Sequence, residues 1–486
     1  MDLPMSQDTG AAAQVPTVHT RKTKGLRVAL LLNIPSSATK LGRHVPISLL
    51  YLGAQLTRQG HTPLILDRRT FANDQDFLRA LKDADPHLVG VSLYADCYAI
   101  TYQLINRIRR YAPHLRIVLG GPEVSANRDG VAQVFHGKVD YLLCGEAEFT
   151  LGSLADALSE GDQALLETIE GLSYKTDGAW RHNAAPNPIK DVDSIPFPQR
   201  ELISPENWKA HYYRIGLKRP SDVILTSRGC PFSCRFCYRL AKGYRARSPE
   251  SVLAELDAIY ARGIRGLSII DDNFLSNRKR CVAILEGILA KNWRLAIKCR
   301  GRVDGVDPAL LGLMKRAGVR AVTYGLESGA QELLDAMGKR ASVEQNLRAI
   351  RMTREAGLQC YVDLFFGYPG ETRETIRQTA DFLIQARPTG INMGVLFPLH
   401  GTEIYEEARR QGTLRGDWGL LEDYPWVKLP WFNDISELWK ERRKVIRRFW
   451  FNPQIIAGTV WSTLATFGIR DYRDALKELR LQLLKW

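Results

Sequence analysis

Short apolar runs alternate with amphipathic segments over residues 26–158. Runs such as LRVALLLNI and HLVGVSLY are continuously hydrophobic, which is typical of strands buried on both faces. The segments between them, such as SLLYLGAQLTRQG and YQLINRIRRY, repeat their apolar residues at helical spacing. This alternation predicts a parallel, doubly wound sheet, a Rossmann-like domain, which binds ligands at the carboxyl ends of its strands. Ser92, Gly120 and Gly121 follow two of these runs, so we expect them beside a ligand.

The alternation stops over residues 159–222 and then resumes. Prolines cluster in that interval, which predicts a linker that packs along the surface. Over residues 223–413 six further apolar runs alternate with amphipathic segments, and the runs are VILTSR, GLSIID, RLAIKC, RAVTYGL, CYVDLFFG and GINMGVLF. Six strand and helix units predict a partial (β/α)6 form of the parallel barrel, with an active site at the carboxyl ends of its strands. The predicted fold class is therefore α/β.

The two ends of the chain differ from this pattern. Residues 1–25 are polar and are predicted to form a disordered arm, whereas residues 414–486 form a helical, aromatic-rich C-terminal region. One predicted helix, WKERRKVIRRFWF, carries six basic residues between Lys440 and Arg448. Such a helix either lies on an anionic membrane surface or packs on the core with a basic outer face. The net charge of +14 similarly fits nucleic acid, acidic lipid, an anionic ligand or a solvated basic surface.

Composition indicates an ordinary globular protein, since 45% of the 486 residues are hydrophobic. The sequence shows neither an apolar run of about 20 residues nor a secretory leader, so we expect a cytoplasmic location. Thiols stay reduced there, and clustered cysteines then predict metal ligands before disulfides. Three of the eight cysteines, Cys230, Cys234 and Cys237, form the pattern C-x3-C-x2-C directly after the run VILTSR.

A loop this short can place one thiolate on each of three irons of a cubane cluster, which leaves the fourth iron open for substrate. Three alternatives are a zinc site completed by a distant Cys or His, a set of unrelated buried thiols, and a disulfide pair. Zinc sites usually contain a second C-x2-C pair, and this sequence has none. The spacing therefore favours the cluster.

With Phe236 as the aromatic residue, the pattern C-x3-C-x-aromatic-C resembles the radical S-adenosylmethionine superfamily, and the resemblance extends over residues 223–415. It implies a 4Fe-4S cluster on the three cysteines, whose open iron chelates S-adenosylmethionine. An external one-electron reductant such as flavodoxin or ferredoxin then cleaves this cofactor to a 5'-deoxyadenosyl radical. The resemblance also implies cofactor contacts after later strands: Asp271, Asp272 and Asn273 for the methionine amino group, Arg300 for its carboxylate, Glu327 and Ser328 for a ribose or amino-acid moiety, and Gly367 and Pro369 for the adenine.

The first domain resembles the cobalamin-binding branch of that superfamily, which includes methyltransferases and the anaerobic magnesium-protoporphyrin cyclase. The similar stretches are HVPISLLYLGAQLTRQGH, LVGVSLY, IVLGGPEV and VDYLLCGEAEFTL. The resemblance implies bound cobalamin, with Ser92, Gly120 and Gly121 lining the pocket for its nucleotide tail.

The cobalamin motif D-x-H-x-x-G has a literal match at Asp85, His87 and Gly90. We reject this match, because His87 begins the run HLVGVSLY and so lies at the edge of the sheet opposite the ligand side. The segment after the first run offers no suitably spaced Asp and His, and His44 is the remaining alternative. We therefore expect cobalamin with no histidine of the protein below its cobalt.

The two resemblances together imply an enzyme that methylates an unactivated carbon of a small-molecule substrate through a 5'-deoxyadenosyl radical and methylcobalamin. The alternatives are a radical cyclase or ring-rearranging enzyme with the same cofactors, and a non-catalytic cobalamin carrier or sensor. A transfer-RNA methylthiolase usually has a second cysteine set in its first domain, which here contains only Cys97 and Cys144, so no nucleic acid is expected. These patterns identify neither the substrate nor a catalytic side chain. Peripheral membrane contact through residues 439–486 stays an alternative interaction.

Overall fold

The computed structural model describes residues 25–33, 45–204, 221–241, 243–420 and 424–467. The arm predicted for residues 1–25 lies outside these ranges except for its last residue, and His44 lies outside them as well. Helices and strands are numbered below in chain order within the described residues.

A seven-stranded sheet forms the first domain, with strand order β2-β1-β3-β4-β5-β6-β7. Its first five strands pair in parallel, which confirms the doubly wound prediction. The strands are β1 (Arg27–Leu32), β2 (Thr62–Asp67), β3 (Leu88–Ser92), β4 (Arg116–Gly120), β5 (Tyr141–Leu143), β6 (Leu172–Thr176) and β7 (Ala179–His182). The helices are α1 (Ile47–Arg58), α2 (Asp74–Ala84), α3 (Tyr98–Tyr111), α4 (Pro122–Ala126), α5 (Arg128–Val134), α6 (Glu148–Glu160) and α7 (Gln163–Thr168). Helices on both faces bury the inner strands, which explains their continuous apolar sequence.

Part of the predicted linker, residues 159–222, belongs instead to this sheet. Strands β6 and β7 form a hairpin that pairs antiparallel to β5 and extends the sheet edge. Asp177 and Gly178 turn the chain between the two strands with φ values of 52° and 80°, the left-handed conformation that a two-residue hairpin requires. Strand β7 is half-exposed, so its sequence lacks the continuous apolar pattern of the inner strands. Residues 205–220 of the predicted linker lie outside the described residues.

Six parallel strands in sequential order form the second domain, β8-β11-β12-β13-β14-β15, which confirms the predicted partial barrel. They are β8 (Ser221–Ile224), β11 (Gly266–Ile269), β12 (Ala296–Gly301), β13 (Val319–Glu327), β14 (Gln359–Phe366) and β15 (Gly390–Val395). Two antiparallel pairs accompany them, β9 (Ser227–Gly229) with β10 (Tyr244–Ala246) and β16 (Leu414–Arg415) with β17 (Trp426–Val427). The helices are α8 (Pro249–Ala261), α9 (Arg278–Ala290), α10 (Pro308–Arg316), α11 (Gln331–Ala336), α12 (Val343–Glu355), α13 (Arg373–Ala386) and α14 (Glu403–Arg410).

Polar side chains define where most of these barrel helices begin. An N-cap side chain accepts a hydrogen bond from a backbone N–H of the first turn, which stabilises a helix by about 1 kcal/mol. The capping residues of α8, α9, α10, α12, α13 and α14 are Ser248, Asn277, Asp307, Ser342, Thr372 and Thr402. All of these helices except α12, which follows α11, start a short loop after the strand that precedes them, so most loops that carry chemistry are short.

Two helices follow the barrel, α15 (Ile435–Trp450) and α16 (Pro453–Phe467). The apolar side chains of α15, among them Leu438, Ile446 and Phe449, belong to the barrel core. Its basic residues other than Arg442 are exposed, so α15 is a core helix with a basic outer face rather than a helix with a free apolar face. None of the described helices is long and apolar enough to cross a bilayer.

The two domains meet where their parallel strands end. Arg228 of β9 forms ion pairs with Glu146 and Glu148, which follow β5. Tyr238 donates a hydrogen bond from its hydroxyl to the backbone oxygen of Pro122, which follows β4. Because carboxyl ends are where such sheets bind ligands, both predicted ligand edges face the same space.

Candidate functional site

The cysteine loop connects β9 to β10 at the carboxyl end of the first barrel strand. All three of its cysteines, Cys230, Cys234 and Cys237, are free thiols. The loop is fastened to the barrel by Arg235, whose backbone N–H donates to Met337 O over 3.1 Å. The Arg235 guanidinium also pairs with Glu403 and Glu407 of α14. These contacts hold the loop in place through residues that leave the thiols available.

The three thiols form one electrostatic group. Burial raises the pKa of Cys237 to about 11, and the negative charges of neighbouring groups, Cys234 first, add to the effect. Among the described residues no three His, Cys, Asp or Glu side chains converge on a single metal ion. Three thiolates that each bind a different iron are spread around a cluster instead of meeting at one point. Three free thiols on one short loop are the donor set of a cubane cluster with one open iron.

The three polar residues after β11 do not share one environment. Asp271 is fully buried and accepts hydrogen bonds from the Thr226 backbone N–H and from the hydroxyls of Thr226 and Ser227. Asn273 caps the short helix that follows it, accepting from Leu275 N. Asp272 alone of the three lines a cavity, and its charge acts on Cys230 and Cys237. The side chains of Asp271 and Asn273 are therefore used in hydrogen bonds within the protein, whereas Asp272 lines the cavity beside the cysteine loop.

Arg300, near the end of β12, lies close to Asp272. Burial raises the pKa of the Asp272 carboxyl, and the positive charge of Arg300 opposes this effect in part. The Arg300 guanidinium donates to Asp363 of β14 over 2.5 Å. Glu327 has a left-handed φ of 71° and accepts from Lys339 Nζ over 2.6 Å. Its neighbour Ser328 is buried, and its hydroxyl accepts from the backbone of Ala330.

The loop after β14 makes a close turn at Gly367, whose φ is 98°. Pro369 and the next residue are exposed at this turn. Glu371 closes the loop from within, accepting from Gly367 N over 3.3 Å and from the Thr375 hydroxyl. This carboxyl is almost completely buried. It was not singled out from the sequence, because a Glu that begins the segment ETRETIRQ reads as an exposed helix start.

We expect Glu371→Gln to remove part of the pH dependence of stability. Burial raises the pKa of Glu371 to about 7, above the ordinary 4.5. Between these two values the folded protein holds a proton that the unfolded chain has lost, so the free energy of unfolding falls as pH rises through this window. The shift corresponds to about 3 kcal/mol. Urea unfolding at pH 5 and pH 8 should therefore differ less in the Gln variant than in wild type.

The exposed Glu355→Gln variant is the control, and its pH dependence should match that of wild type. Equal pH dependence in wild type and in Glu371→Gln would contradict this account.

At the edge of the first domain, Ser92 and Gly120 are register partners at the ends of β3 and β4. Gly121 follows with a φ of 104°, and a Cβ there would lie 2.9 Å from Leu93 O. Only glycine fits this position, so the backbone turns sharply at the ligand edge. Three predicted cobalamin contacts are thereby brought together.

Ser92 and Gly121 line a cavity of about 410 Å³ between the two domains, the interdomain cavity. Its wall on the barrel side includes Arg228, Tyr238 and Asp272. Arg245 also lines it, and the buried Nε of this side chain has no hydrogen-bond partner among the described residues. A free donor beside small strand-end residues fits the amide-rich and phosphate-bearing periphery of cobalamin.

His87 lies on the other side of this sheet. Its Nδ1 accepts from the backbone N–H of Arg27, the first residue of β1, over 3.0 Å. It therefore stands at the amino ends of the strands, away from the interdomain cavity. The position agrees with the rejection of the literal D-x-H-x-x-G match.

A second space of about 490 Å³, the aromatic cavity, adjoins the first. Tyr94, Pro122 and Tyr238 line both. The rings around the aromatic cavity are Tyr94, Phe236, Tyr238, Phe365, Phe397 and Trp418. Phe236, the aromatic residue of the cysteine motif, packs edge-on against Phe365 with ring centroids 4.9 Å apart. The cysteine loop therefore borders both cavities.

Glu123 and His400 meet at the aromatic cavity although 277 positions separate them. His400 Nδ1 lies 2.7 Å from Glu123 Oε1, and the Tyr98 hydroxyl donates to the same oxygen over 2.8 Å. Both Glu123 and His400 are more than nine-tenths buried. His400 was not singled out from the sequence, because the segment PLHGTE carries no signal of a partner in the first domain. This pair, with Asp96, supplies the carboxyl and imidazole groups of a space lined mostly by aromatic and aliphatic residues.

Two family models match the chain. The radical SAM superfamily model matches residues 224–383, and the B12 binding domain model matches residues 37–155. An uncharacterized methyltransferase of Pyrococcus horikoshii is 30% identical over 442 residues, which is 88% of this chain and 93% of that protein. An anaerobic magnesium-protoporphyrin IX monomethyl ester cyclase of Cereibacter sphaeroides is 26% identical over 381 residues, which is 76% of this chain and 61% of the cyclase.

A solved structure has the same fold over nearly the whole chain. It is the radical S-adenosylmethionine methyltransferase TsrM of Kitasatospora setae, with cobalamin and a 4Fe-4S cluster bound. The TM-score is 0.70 at 20% identity, and the match covers 95% of this chain and 99% of that one. The two resemblances inferred from the cysteine motif and from the first domain are confirmed by these matches.

Proposed function

Because the chain belongs to the radical S-adenosylmethionine superfamily, in the branch that carries a B12-binding domain, we propose that it methylates an unactivated carbon of an apolar small molecule held in the aromatic cavity. Its cofactors are a 4Fe-4S cluster, S-adenosylmethionine and cobalamin. Together these groups supply a radical that removes a hydrogen atom and a methyl group that replaces it. The observation that carries the proposal is the position of Tyr238, directly after the last cluster cysteine and in the wall of both cavities.

Each group has a set of residues proposed to hold it. The three cysteines bind the cluster, and Asp272 and Arg300 pair with the amino and carboxylate groups of the methionine part. Phe236 and the loop at Gly367 lie against the adenine. These assignments rest on the common location of the residues at the carboxyl ends of the barrel strands.

For cobalamin the proposed contacts are Ser92, Gly120 and Gly121, which present backbone and small side chains at the edge of the first sheet. Asp271 and Asn273 do not contact a cofactor in this proposal. Their hydrogen bonds hold the loop that carries Asp272. Glu327 similarly holds Lys339 near the cluster. Pro369 stiffens the exposed turn after Gly367.

The lining of the aromatic cavity indicates the class of substrate. Six aromatic side chains offer broad apolar surfaces, which favour a flat or bulky hydrophobic body. Apart from tyrosine hydroxyls and the Trp418 indole, the polar side chains of the described wall are Asp96, Glu123 and His400, and no Lys or Arg is among them. Two carboxylates and one imidazole favour a neutral or cationic polar group over an anionic one.

We expect Glu123→Gln to lower methylation about tenfold or more, because the variant removes the charge that this end of the cavity presents to the substrate. The amide keeps the size of the side chain and can still accept from Tyr98. S-adenosylmethionine cleavage without substrate should continue at the wild-type rate, since the cluster loop is unchanged. Methylated product and 5'-deoxyadenosine, both quantified by mass spectrometry, separate the two effects.

The exposed Glu160→Gln variant should behave as wild type in both assays. Methylation by Glu123→Gln at the wild-type rate would contradict the proposed contact between the Glu123 carboxylate and the substrate.

Cyclisation is the second candidate, because the cyclase relative matches this chain over 76% of its length. The discriminating experiment uses the anaerobically reconstituted enzyme, a chemical or flavodoxin-type reductant, and S-adenosylmethionine with a deuterated methyl group. The source of substrate is the low-molecular-mass fraction of an extract of cells that naturally contain the enzyme. Methylation forms a product that carries the label, together with S-adenosylhomocysteine and 5'-deoxyadenosine. Cyclisation forms 5'-deoxyadenosine with neither label transfer nor S-adenosylhomocysteine, and this result would replace the methylation proposal.

We include in the proposal an external one-electron reductant, which the cluster needs for each cleavage. We also include a cytoplasmic location, where thiols remain reduced until the cluster assembles.

A further inference from the structure

Four basic side chains converge at the end of the barrel opposite the cysteine loop. Lys315 lies in the last turn of α10, Arg320 is the second residue of β13, Arg354 lies in the last turn of α12, and Arg387 follows α13. They line a cavity of about 410 Å³, the basic cavity, beside α16. Within the described part of the chain, its lining contains no Asp or Glu. The residues precede strands β13, β14 and β15, so the basic cavity lies at their amino ends, away from both cavities of the active site.

None of these four cations forms an ion pair or a side-chain hydrogen bond with a described residue. Elsewhere on the barrel surface, exposed arginines do find carboxylates, as Arg278 does with Asp307 and Arg448 does with Asp381. A basic residue at the end of a helix is favoured by the helix dipole, which accounts for single cations. It does not account for four of them around one space without a counter-charge, because like charges repel. The arrangement fits a bound anion.

The helix beside the basic cavity leaves apolar side chains in solvent. Trp461 is 76% exposed and lines the cavity, and Ile456 and Val460 of the same helix are exposed as well. Phe451, just before the helix, is 72% exposed. Trp at the junction of an apolar face and a basic surface is typical of proteins that bind at the headgroup level of a bilayer. The apolar face of α15 is buried in the barrel core, so the exposed apolar side chains of this region belong to α16 and not to the basic helix at residues 439–451.

We propose that the basic cavity and the exposed face of α16 form a docking site for an anionic phospholipid bilayer. A lipid phosphate occupies the cavity, where the guanidinium groups of Arg320, Arg354 and Arg387 can donate in pairs to its oxygens. Trp461 and Ile456 enter the headgroup layer beside it. The site lies at the opposite end of the barrel from the cofactor residues, so docking leaves the openings of the active-site cavities unobstructed. This inference does not depend on methylation being the reaction.

The test measures binding of the full chain to vesicles by co-sedimentation. Vesicles of phosphatidylcholine alone are compared with vesicles of phosphatidylcholine and phosphatidylglycerol in a three-to-one ratio. In the pocket variant Arg320→Glu is combined with Arg354→Glu. In the matched control Arg348→Glu is combined with Arg351→Glu, two exposed arginines of α12 outside the cavity that give the same change in net charge.

We expect wild type and the control to bind the anionic vesicles and the pocket variant to bind at least about tenfold more weakly. Trp461→Ala should also weaken binding, whereas Trp431→Ala, a variant of a tryptophan exposed outside the basic cavity, should not. Cleavage of S-adenosylmethionine in solution should be the same in all variants, which shows that they are folded.

Three results would overturn the proposal. The first is equal loss of binding in the pocket variant and the control, which indicates unspecific attraction to the basic surface. The second is that wild type does not bind anionic vesicles. This holds also if wild type binds inorganic phosphate and the pocket variant does not, because the cavity would then be a site for free phosphate and not for a bilayer. The third is binding that appears only after residues 468–486 are removed, since that segment, with Asp471, Asp474 and Glu478, would then be the occupant of the basic cavity.

Discussion

Cys234→Ala is expected to abolish reductive cleavage of S-adenosylmethionine while leaving the fold intact. Three thiolates are the whole protein contribution to the cluster, and two cannot hold it with one iron still open for the cofactor. The cysteine loop connects two short strands at the surface of the barrel, and Arg235 fastens it independently of the thiol of Cys234. Loss of the sulfur therefore removes the cluster without opening the core.

The measurement is iron per chain after anaerobic reconstitution, together with the electron-paramagnetic spectrum of the reduced protein and the yield of 5'-deoxyadenosine. Iron should fall to near background and 5'-deoxyadenosine should be undetectable. Cys281→Ala is the matched control, because this thiol is buried in α9 outside the cluster. It should keep its iron and lose about 1 kcal/mol of stability. Substrate turnover by Cys234→Ala would contradict this account, because catalysis would then not depend on the cluster.

Arg228→Ala is expected to lower the free energy of unfolding by about 3–5 kcal/mol. The guanidinium joins the barrel to the first domain, with Nη1 3.0 Å from Glu146 Oε1 and Nη2 2.5 Å from Glu148 Oε1. Glu146 keeps a second partner in Arg245 at 2.6 Å, whereas Glu148 has no other ion pair among the described residues. The truncation therefore leaves one buried carboxylate without its counter-charge at the domain boundary.

The same variant should also weaken cobalamin binding, because Arg228, Glu146 and Glu148 all line the interdomain cavity. Urea unfolding followed by circular dichroism gives the first effect, and the absorption spectrum of reconstituted protein after gel filtration gives the second. Adding Glu148→Gln to Arg228→Ala should recover part of the lost stability, because the unpaired charge is then removed.

Arg181→Ala is the control, since its pair with Glu167 is about half-exposed and should contribute less than about 1 kcal/mol. An equal, small cost for Arg228→Ala and Arg181→Ala would show that the domains do not depend on this ion pair.

The sequence by itself was sufficient for the cluster motif and for the parallel strands of both sheets. Cys230, Cys234 and Cys237 lie within eight positions, so their proximity is a property of the local chain. The inner strands of both domains are buried on two faces, and a strand buried in this way has a continuous run of apolar residues. The hairpin of β6 and β7 escaped prediction because an edge strand needs no such run, although the pair Asp177 and Gly178 was a turn signal.

Tertiary structure alone decided which polar side chains face the site. Asp271, Asp272 and Asn273 are adjacent in sequence, yet packing turns Asp271 toward Thr226 and Ser227 and leaves Asp272 at the cavity. The orientation of a buried carboxylate depends on which donors surround it, and the donors to Asp271 come from a segment 44 and 45 positions earlier in the chain.

The same holds for residues that are distant in the chain. Glu123 and His400 become neighbours because two separately folded domains dock at the carboxyl ends of their strands. The four cations of the basic cavity lie where three helices lead into the amino ends of strands. Sequence patterns indicate the local burial of each segment. Contacts between residues that are distant in the chain depend instead on how whole sheets and helices pack against each other. That is why the cofactors could be inferred from the sequence, while the polar pair at the aromatic cavity and the basic cavity required the folded structure.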